Sequence, residues 1–198
     1  MRTVEQTLRI GDCLDGRFAQ LRGVMATSKE RSLIELARLF EAERVRYALI
    51  GGVAVQIWSA EPRTTLDIDL AVVSYDDLPR AAMGRAGFTL GGRFPHSENW
   101  TGPDGTPVQF SDDPAFAEAV AHAKAHPLGD TMLRVAAVLD LVKAKLRATR
   151  DPARRRSKRL MDLADAVALV EQHPSVRDSL PPADRRLLQA DDEAQPTT

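Results

Sequence analysis

YALIGGVAVQIWSAEPRTTLDIDLAV, running from Tyr47 to Val72, decides how the rest of the chain is read. An apolar run from Val45 to Ile50 predicts a strand. A Gly51-Gly52 turn follows, then a short helix from Val53 to Ser59 that Pro62 stops. Leu66 to Val73 predicts a second strand, and it carries Asp67-Ile68-Asp69. Side chains alternate along a strand, so Asp67 and Asp69 share one face while Leu66, Ile68 and Leu70 share the other. Two carboxylates on an apolar strand repel each other and lose hydration. A cation between them relieves both costs, and oxygen donors of this kind suit Mg²⁺ (or Mn²⁺). The turn offers bare backbone N–H groups at a helix start, where a phosphate can approach. Nucleotide chemistry is the first expectation.

Upstream, Ser28 to Glu43 predicts an amphipathic helix, with Leu33, Leu36, Ala37 and Phe40 at helical spacing and Ser28 as its N-cap. Residues 1–27 contain Gly11, Gly16 and Gly23 and are expected to form an irregular N-terminal arm. Downstream, Asp76 to Ala86 predicts a helix ended by Gly87. Phe88 to Arg93 predicts a strand. Trp100 to Gly105 reads as turn material, and Pro107 to Phe110 as a strand. FAEAVAHAKAHP, Phe116 to Pro127, predicts a helix, and Thr131 to Val135 one more strand. From Ala136 the pattern changes to long helices. Leu139, Val142 and Leu146 mark a face of the first, and Leu160, Leu163, Val167, Leu169 and Val170 a face of the second. The expected class is α+β: a small mixed sheet flanked by helices over 28–135, a C-terminal helical subdomain over 136–180, and a frayed tail over 181–198.

Four elements in order resemble the nucleotidyltransferase superfamily, the one that includes DNA polymerase β. They are Gly51-Gly52, the Arg63-Thr64-Thr65-Leu66-Asp67 approach to Asp69, Lys145-Leu146-Arg147-Ala148, and Asp162-Leu163-Ala164-Asp165. The order and spacing look most like the AbiEii toxin group of that superfamily, over roughly Glu30 to Val170. The resemblance implies a nucleotidyltransferase fold and transfer of a nucleoside monophosphate from an NTP to an acceptor hydroxyl. Asp67 and Asp69 would hold Mg²⁺, bridging the triphosphate. Gly51 and Gly52 would cradle phosphate, with Arg63 and Thr65 beside the nucleotide. Lys145 would neutralise phosphate charge. Lys143 points elsewhere on its helix and is expected to be solvated. Asp162, rather than Asp165, would approach the catalytic pocket; otherwise the pair would meet Arg159 or Lys158 at the surface. A tRNA or other RNA acceptor and a cognate antitoxin are the partners the resemblance implies.

That superfamily usually adds a third carboxylate on a later strand. The position that aligns with it holds Gln109, a neutral amide that cannot accept a proton. Asp112 and Asp113 follow closely, with Asp112 expected to cap a helix that starts at Pro114. Two alternatives therefore stay open: a catalytically silent nucleotide- or RNA-binding module, and a small-molecule (antibiotic) nucleotidyltransferase.

Other features carry less. The basic run Arg147, Arg150, Arg154, Arg155, Arg156, Lys158 and Arg159 faces one acid, Asp151; it reads as a solvated face that could track an RNA backbone. His122 and His126 are four apart on the expected helix, without the further ligand a zinc site needs. With one cysteine, Cys13, no internal disulfide can form, which fits a reducing cytoplasm. The net charge of −1 gives no global pull toward nucleic acid. No run approaches the roughly 20 apolar residues that span a bilayer, and the N-terminus lacks an apolar signal core.

Overall fold

The computed structural model describes residues 3–21, 29–59 and 63–189. The chain forms two compact units, Met1–Ala137 and Val138–Thr198.

The first unit opens with α1 (Val4–Leu21) and α2 (Lys29–Ala42). β1 (Tyr47–Ile50) then leads into α3 (Gly51–Trp58) and β2 (Ile68–Val72). A 3₁₀ turn (Tyr75–Asp77) and α4 (Arg80–Arg85) precede three strands, β3 (Thr89–Phe94), β4 (Ser97–Thr101) and β5 (Pro107–Ser111). Another 3₁₀ turn (Pro114–Phe116) and α5 (Ala117–Ala121) lead to β6 (Lys124–Leu128) and β7 (Thr131–Val135). The strands form one mixed sheet in the order β3-β4-β5-β2-β1-β7-β6. β1 is antiparallel to β2 and parallel to β7, while β2 is parallel to β5. The mixed sheet with flanking helices is the expected α+β class.

α2 presents Leu33, Leu36, Ala37 and Phe40 as one buried stripe. Phe40 meets Tyr47 edge-on at 5.1 Å and Phe110 at 5.8 Å between ring centres, which seats the helix on one face of the sheet. Burying such a side chain stabilises by about 1.5–3 kcal/mol. Ile68, Leu70 and Val108 share that face and are buried. By strand alternation, Asp69 and Gln109 lie on the other face.

The structure corrects several expectations. α1 replaces the irregular arm across its range: Gly11 sits against the Gln56 side chain of α3, so a small residue is a packing contact rather than a helix breaker. The helix expected over Asp76 to Ala86 breaks at Leu78-Pro79 into the 3₁₀ turn and α4, and Gly87 ends α4 at φ +90° as expected. Trp100 lies inside β4 rather than in a turn. The helix expected over Phe116 to Pro127 stops at Ala121, and the rest becomes edge strand β6, where Pro127 withholds no interior hydrogen bond. His122 and His126 therefore never share a helix. Asp113, not Asp112, caps the turn at Pro114, accepting from Ala115 N at 2.9 Å. Ser28 and Pro62, the expected cap and stop, lie outside the described residues, as do 22–27 of the arm and 190–198 of the tail.

In the second unit, α6 (Val138–Arg150) and α7 (Arg156–Gln172) pack together, followed by α8 (Ser175–Asp178) and α9 (Pro182–Gln189). α9 occupies sequence read as frayed tail; Arg150 fastens it, its Nη2 bonding Asp184 Oδ1 at 2.5 Å.

Candidate functional site

At the end of β1 the chain turns through Gly51 at φ +64°, the left-handed region that favours glycine. Ile50, which precedes α3, is extended and supplies no side-chain cap. The register pairs Ile50 with Asp69 across β1 and β2. A Cβ on Gly51 would collide with the Asp69 carboxylate, lying 2.7 Å from both its Cβ and Cγ. A Cβ on Gly52 would lie 2.5 Å from Thr65 Oγ1 and 2.8 Å from Thr65 Cβ. The glycine pair therefore lets Asp69 and Thr65 rest on the first turn of α3. The partial positive charge of that helix end favours a carboxylate there.

Asp67 sits one residue before β2 begins, not within the strand as expected. Leu66 is 51% exposed and takes no part in the core face predicted for it. Asp67 is instead held by Thr65, whose Oγ1 donates to Asp67 Oδ1 at 3.1 Å. Thr65 is itself buried, and its N–H donates to Asp15 Oδ1 at 3.2 Å. The other oxygen of Asp15 pairs with Lys29 Nζ, which also lies 3.1 Å from Asp12 Oδ1. Sequence reasoning missed Asp12, Asp15 and Lys29, because nothing local links residues 14 and 50 positions apart. Arg63 is half-buried, and its carbonyl accepts from Gln56 Nε2.

Gln109 lies directly beside Asp69 in the parallel β2–β5 register. Asn99 of β4 faces Gln109, and Gly92 of β3 faces Asn99. The row Asp69, Gln109, Asn99 thus crosses three strands at about 4.8 Å per step. Gln109 Nε2 donates to Ser97 Oγ at 3.0 Å, and Ser97 Oγ donates to Asn99 Oδ1 at 3.0 Å. The neighbour of Asp69 is thus a neutral amide chain. Asp112 lies past the end of β5, 2.9 Å from His96 Nδ1. Among the described residues no third acid, histidine or cysteine completes a metal-binding group.

In the helical unit, Lys145 Nζ is 3.0 Å from Asp162 Oδ1 and 2.8 Å from Asp165 Oδ2. Arg154 Nε takes the other oxygen of Asp162 at 2.5 Å. Asp162 is only 3% exposed, so this clamp joins α6 to α7 in the interior of their hairpin rather than at its surface. Asp162 meets Lys145 and Arg154, and Asp165 meets Lys145. Lys143 is half-buried rather than solvated.

The donor set beside α3 fits Mg²⁺. That ion takes one or two protein carboxylates and fills its octahedron with water and substrate phosphate oxygens, so a pair of aspartates without a third ligand suffices. Thr65 engages Oδ1 of Asp67, which leaves Oδ2 for a cation.

No protein-family model matches the chain, and no curated protein matches its sequence. Solved structures match its fold. An antigenic nucleotidyltransferase-like protein from Paracoccidioides brasiliensis is 18% identical, with a TM-score of 0.52, covering 85% of this chain and 92% of its own. The antibiotic-resistance factor ANT(2'')-Ia is 14% identical, with a TM-score of 0.51, covering 85% and 93%. The lincosamide antibiotic adenylyltransferase LnuA, solved with lincomycin bound, is 16% identical, with a TM-score of 0.50, covering 72% and 98%. At these identities the likeness speaks for the fold: the chain has a nucleotidyltransferase-like fold.

Proposed function

We propose that the chain transfers a nucleoside monophosphate from an NTP to an acceptor hydroxyl, with release of pyrophosphate. The observation that carries this reading is the seating of Asp69 on the Gly51-Gly52 start of α3, next to an Asp67 oriented by Thr65, on a nucleotidyltransferase-like fold. Asp67 and Asp69 would hold Mg²⁺ or Mn²⁺. Bound there, the ion would offset the charge of the triphosphate. The first-turn N–H groups of α3 would receive a phosphate oxygen. Arg63 would add charge beside them, while Thr65, buried, would serve Asp67 more than the nucleotide. Lys145 and Asp162 enter as the weaker members: the Lys145 charge is already met by two carboxylates, which makes it a poorer phosphate ligand than an unpaired lysine.

We take the acceptor to be RNA, tRNA in the AbiEii-like version, in a cytoplasmic toxin restrained by an antitoxin. Arg155, Arg156 and Lys158 support an RNA contact, because all three are exposed on the α6–α7 connection and the start of α7. The lincosamide antibiotic adenylyltransferase of like fold makes a small antibiotic molecule the competing acceptor. Gln109 favours a second reading, nucleotide binding without turnover, because an amide beside Asp69 cannot take the proton of an attacking hydroxyl.

Incubation with each α-labelled NTP, Mg²⁺, and either total RNA or a panel of antibiotics that includes lincosamides separates the three. The expected result is label on RNA, lost in Asp67→Asn and Asp69→Asn. Label on a drug redirects the acceptor. NTP binding that needs both aspartates but labels nothing selects the silent reading. Absence of any metal-dependent NTP binding overturns the proposal.

A further inference from the structure

Lys29, the first residue of α2, is 1% exposed, and its ammonium is held inside the protein. Removing an ammonium from water is tolerable only with close counter-charge. One carboxylate would balance it; α1 supplies two, Asp12 and Asp15. The surplus is put to use. Asp15 gives one oxygen to Lys29 and the other to the N–H of Thr65, at 3.2 Å. Thr65 gives its hydroxyl proton to Asp67 Oδ1 at 3.1 Å, with its side chain seated on the bare Cα of Gly52. A relay of polar contacts therefore runs from Lys29 through Asp15 and Thr65 to Asp67.

We infer that Asp15, anchored by Lys29, is a positioning residue for the divalent-cation site: it fixes Thr65, and Thr65 fixes which oxygen of Asp67 meets the metal. This rests on the reading of Asp67 as a metal ligand. Partners behind a ligand set its orientation, and their loss typically weakens metal binding by about 10–100-fold.

The test titrates the folded full chain with Mn²⁺ alone, following unbound Mn²⁺ by electron paramagnetic resonance, with a thermal melt of each variant. Thr65→Val keeps the shape over Gly52 and removes the donor; Thr65→Ser keeps the donor. Asp15→Asn keeps Asp12 on Lys29 but has one acceptor oxygen in place of two; the ammonium holds that oxygen, and the amide NH₂ then faces the Thr65 N–H, which loses its acceptor. Expected are a fall of about 10–100-fold for Thr65→Val, recovery in Thr65→Ser, and a similar fall for Asp15→Asn. The Asp15→Asn, Thr65→Val double variant should bind no worse than Thr65→Val, because both act along one path. Wild-type affinity in folded Asp15→Asn overturns the inference and leaves the function reading standing. So does a double variant in which the two losses add in full. If Thr65→Val does not fold, Asp15→Asn alone decides. If the wild type shows no Mn²⁺ binding that Asp67→Asn removes, the function reading falls and this inference falls with it.

Discussion

A side chain at Gly51 has nowhere to go: the backbone is left-handed and the Asp69 carboxylate occupies the space. Gly51→Ala should destabilise by at least the 1–3 kcal/mol of about one strained residue, read by urea unfolding, and should disturb Asp69 as well. Gly84 is the control. It lies inside α4 with nothing within 4 Å of an added Cβ, so Gly84→Ala should stabilise by about 0.5–1 kcal/mol. Two other residues set a response to acid. Burial pushes Asp104 up, but hydrogen bonds from Ser32 and Thr106 outweigh it and hold the group below its ordinary 3.8. Its contribution is present above that value and is lost as pH falls through the lower, folded one. Burial holds His126, edge-on to Trp58, below its ordinary 6.5. The unfolded chain then takes up that proton first, so stability declines as pH drops below 6.5. His126→Phe keeps a ring against Trp58 and should flatten the melting temperature between about pH 5 and 7 while leaving the acid limb.

At the scale of elements, the Lys145 clamp gives a separable prediction. Lys145→Met takes away the ammonium that two largely buried carboxylates share and should cost less than the ~3–5 kcal/mol of a fully broken buried pair, because Asp162 keeps Arg154. Arg154→Met should cost less, since its side chain is 41% exposed and Asp162 keeps Lys145. Gln109→Asp places a second acid beside Asp69 in the β2–β5 register. Like charges raise carboxylate pKa values, so this variant should melt lower without metal and regain more than the wild type on adding Mg²⁺. An unchanged Mg²⁺ response would mean that position 109 does not face the ion. What could be read from the sequence follows from distance along the chain. The glycine pair, the two aspartates and the amphipathic stripes of α2 and α6 are local patterns with a fixed period. β6 was hidden because His122 to Lys124 continues an alanine-rich helical run, and only pairing with β7 makes the next residues extended. Pro127 was the local sign that went unused. β4 was hidden by turn residues next to Trp100, whose indole N–H donates to the buried Glu98 at 2.9 Å. The Asp15–Thr65 link spans 50 positions and has no local sign at all.

For the molecule as a whole, the sheet unit and the helical unit each carry their own interior ion network, Lys29 with Asp12 and Asp15 in one, Lys145 with Asp162 and Asp165 in the other. If RNA is the acceptor, neutral substitutions at Arg155, Arg156 and Lys158 should reduce RNA affinity and flatten its dependence on salt by about 0.7–0.9 per phosphate contact removed. A filter-binding series in KCl measures both, and an unchanged slope would exclude that surface. The sheet unit also constrains anyone who would shorten the protein. A version trimmed to start at α2 would carry a cationic plug whose counter-ions had been cut away with the preceding helix. Such a fragment also loses the Asp15 acceptor of the Thr65 N–H, so the smallest working piece of this protein has to begin ahead of Asp12.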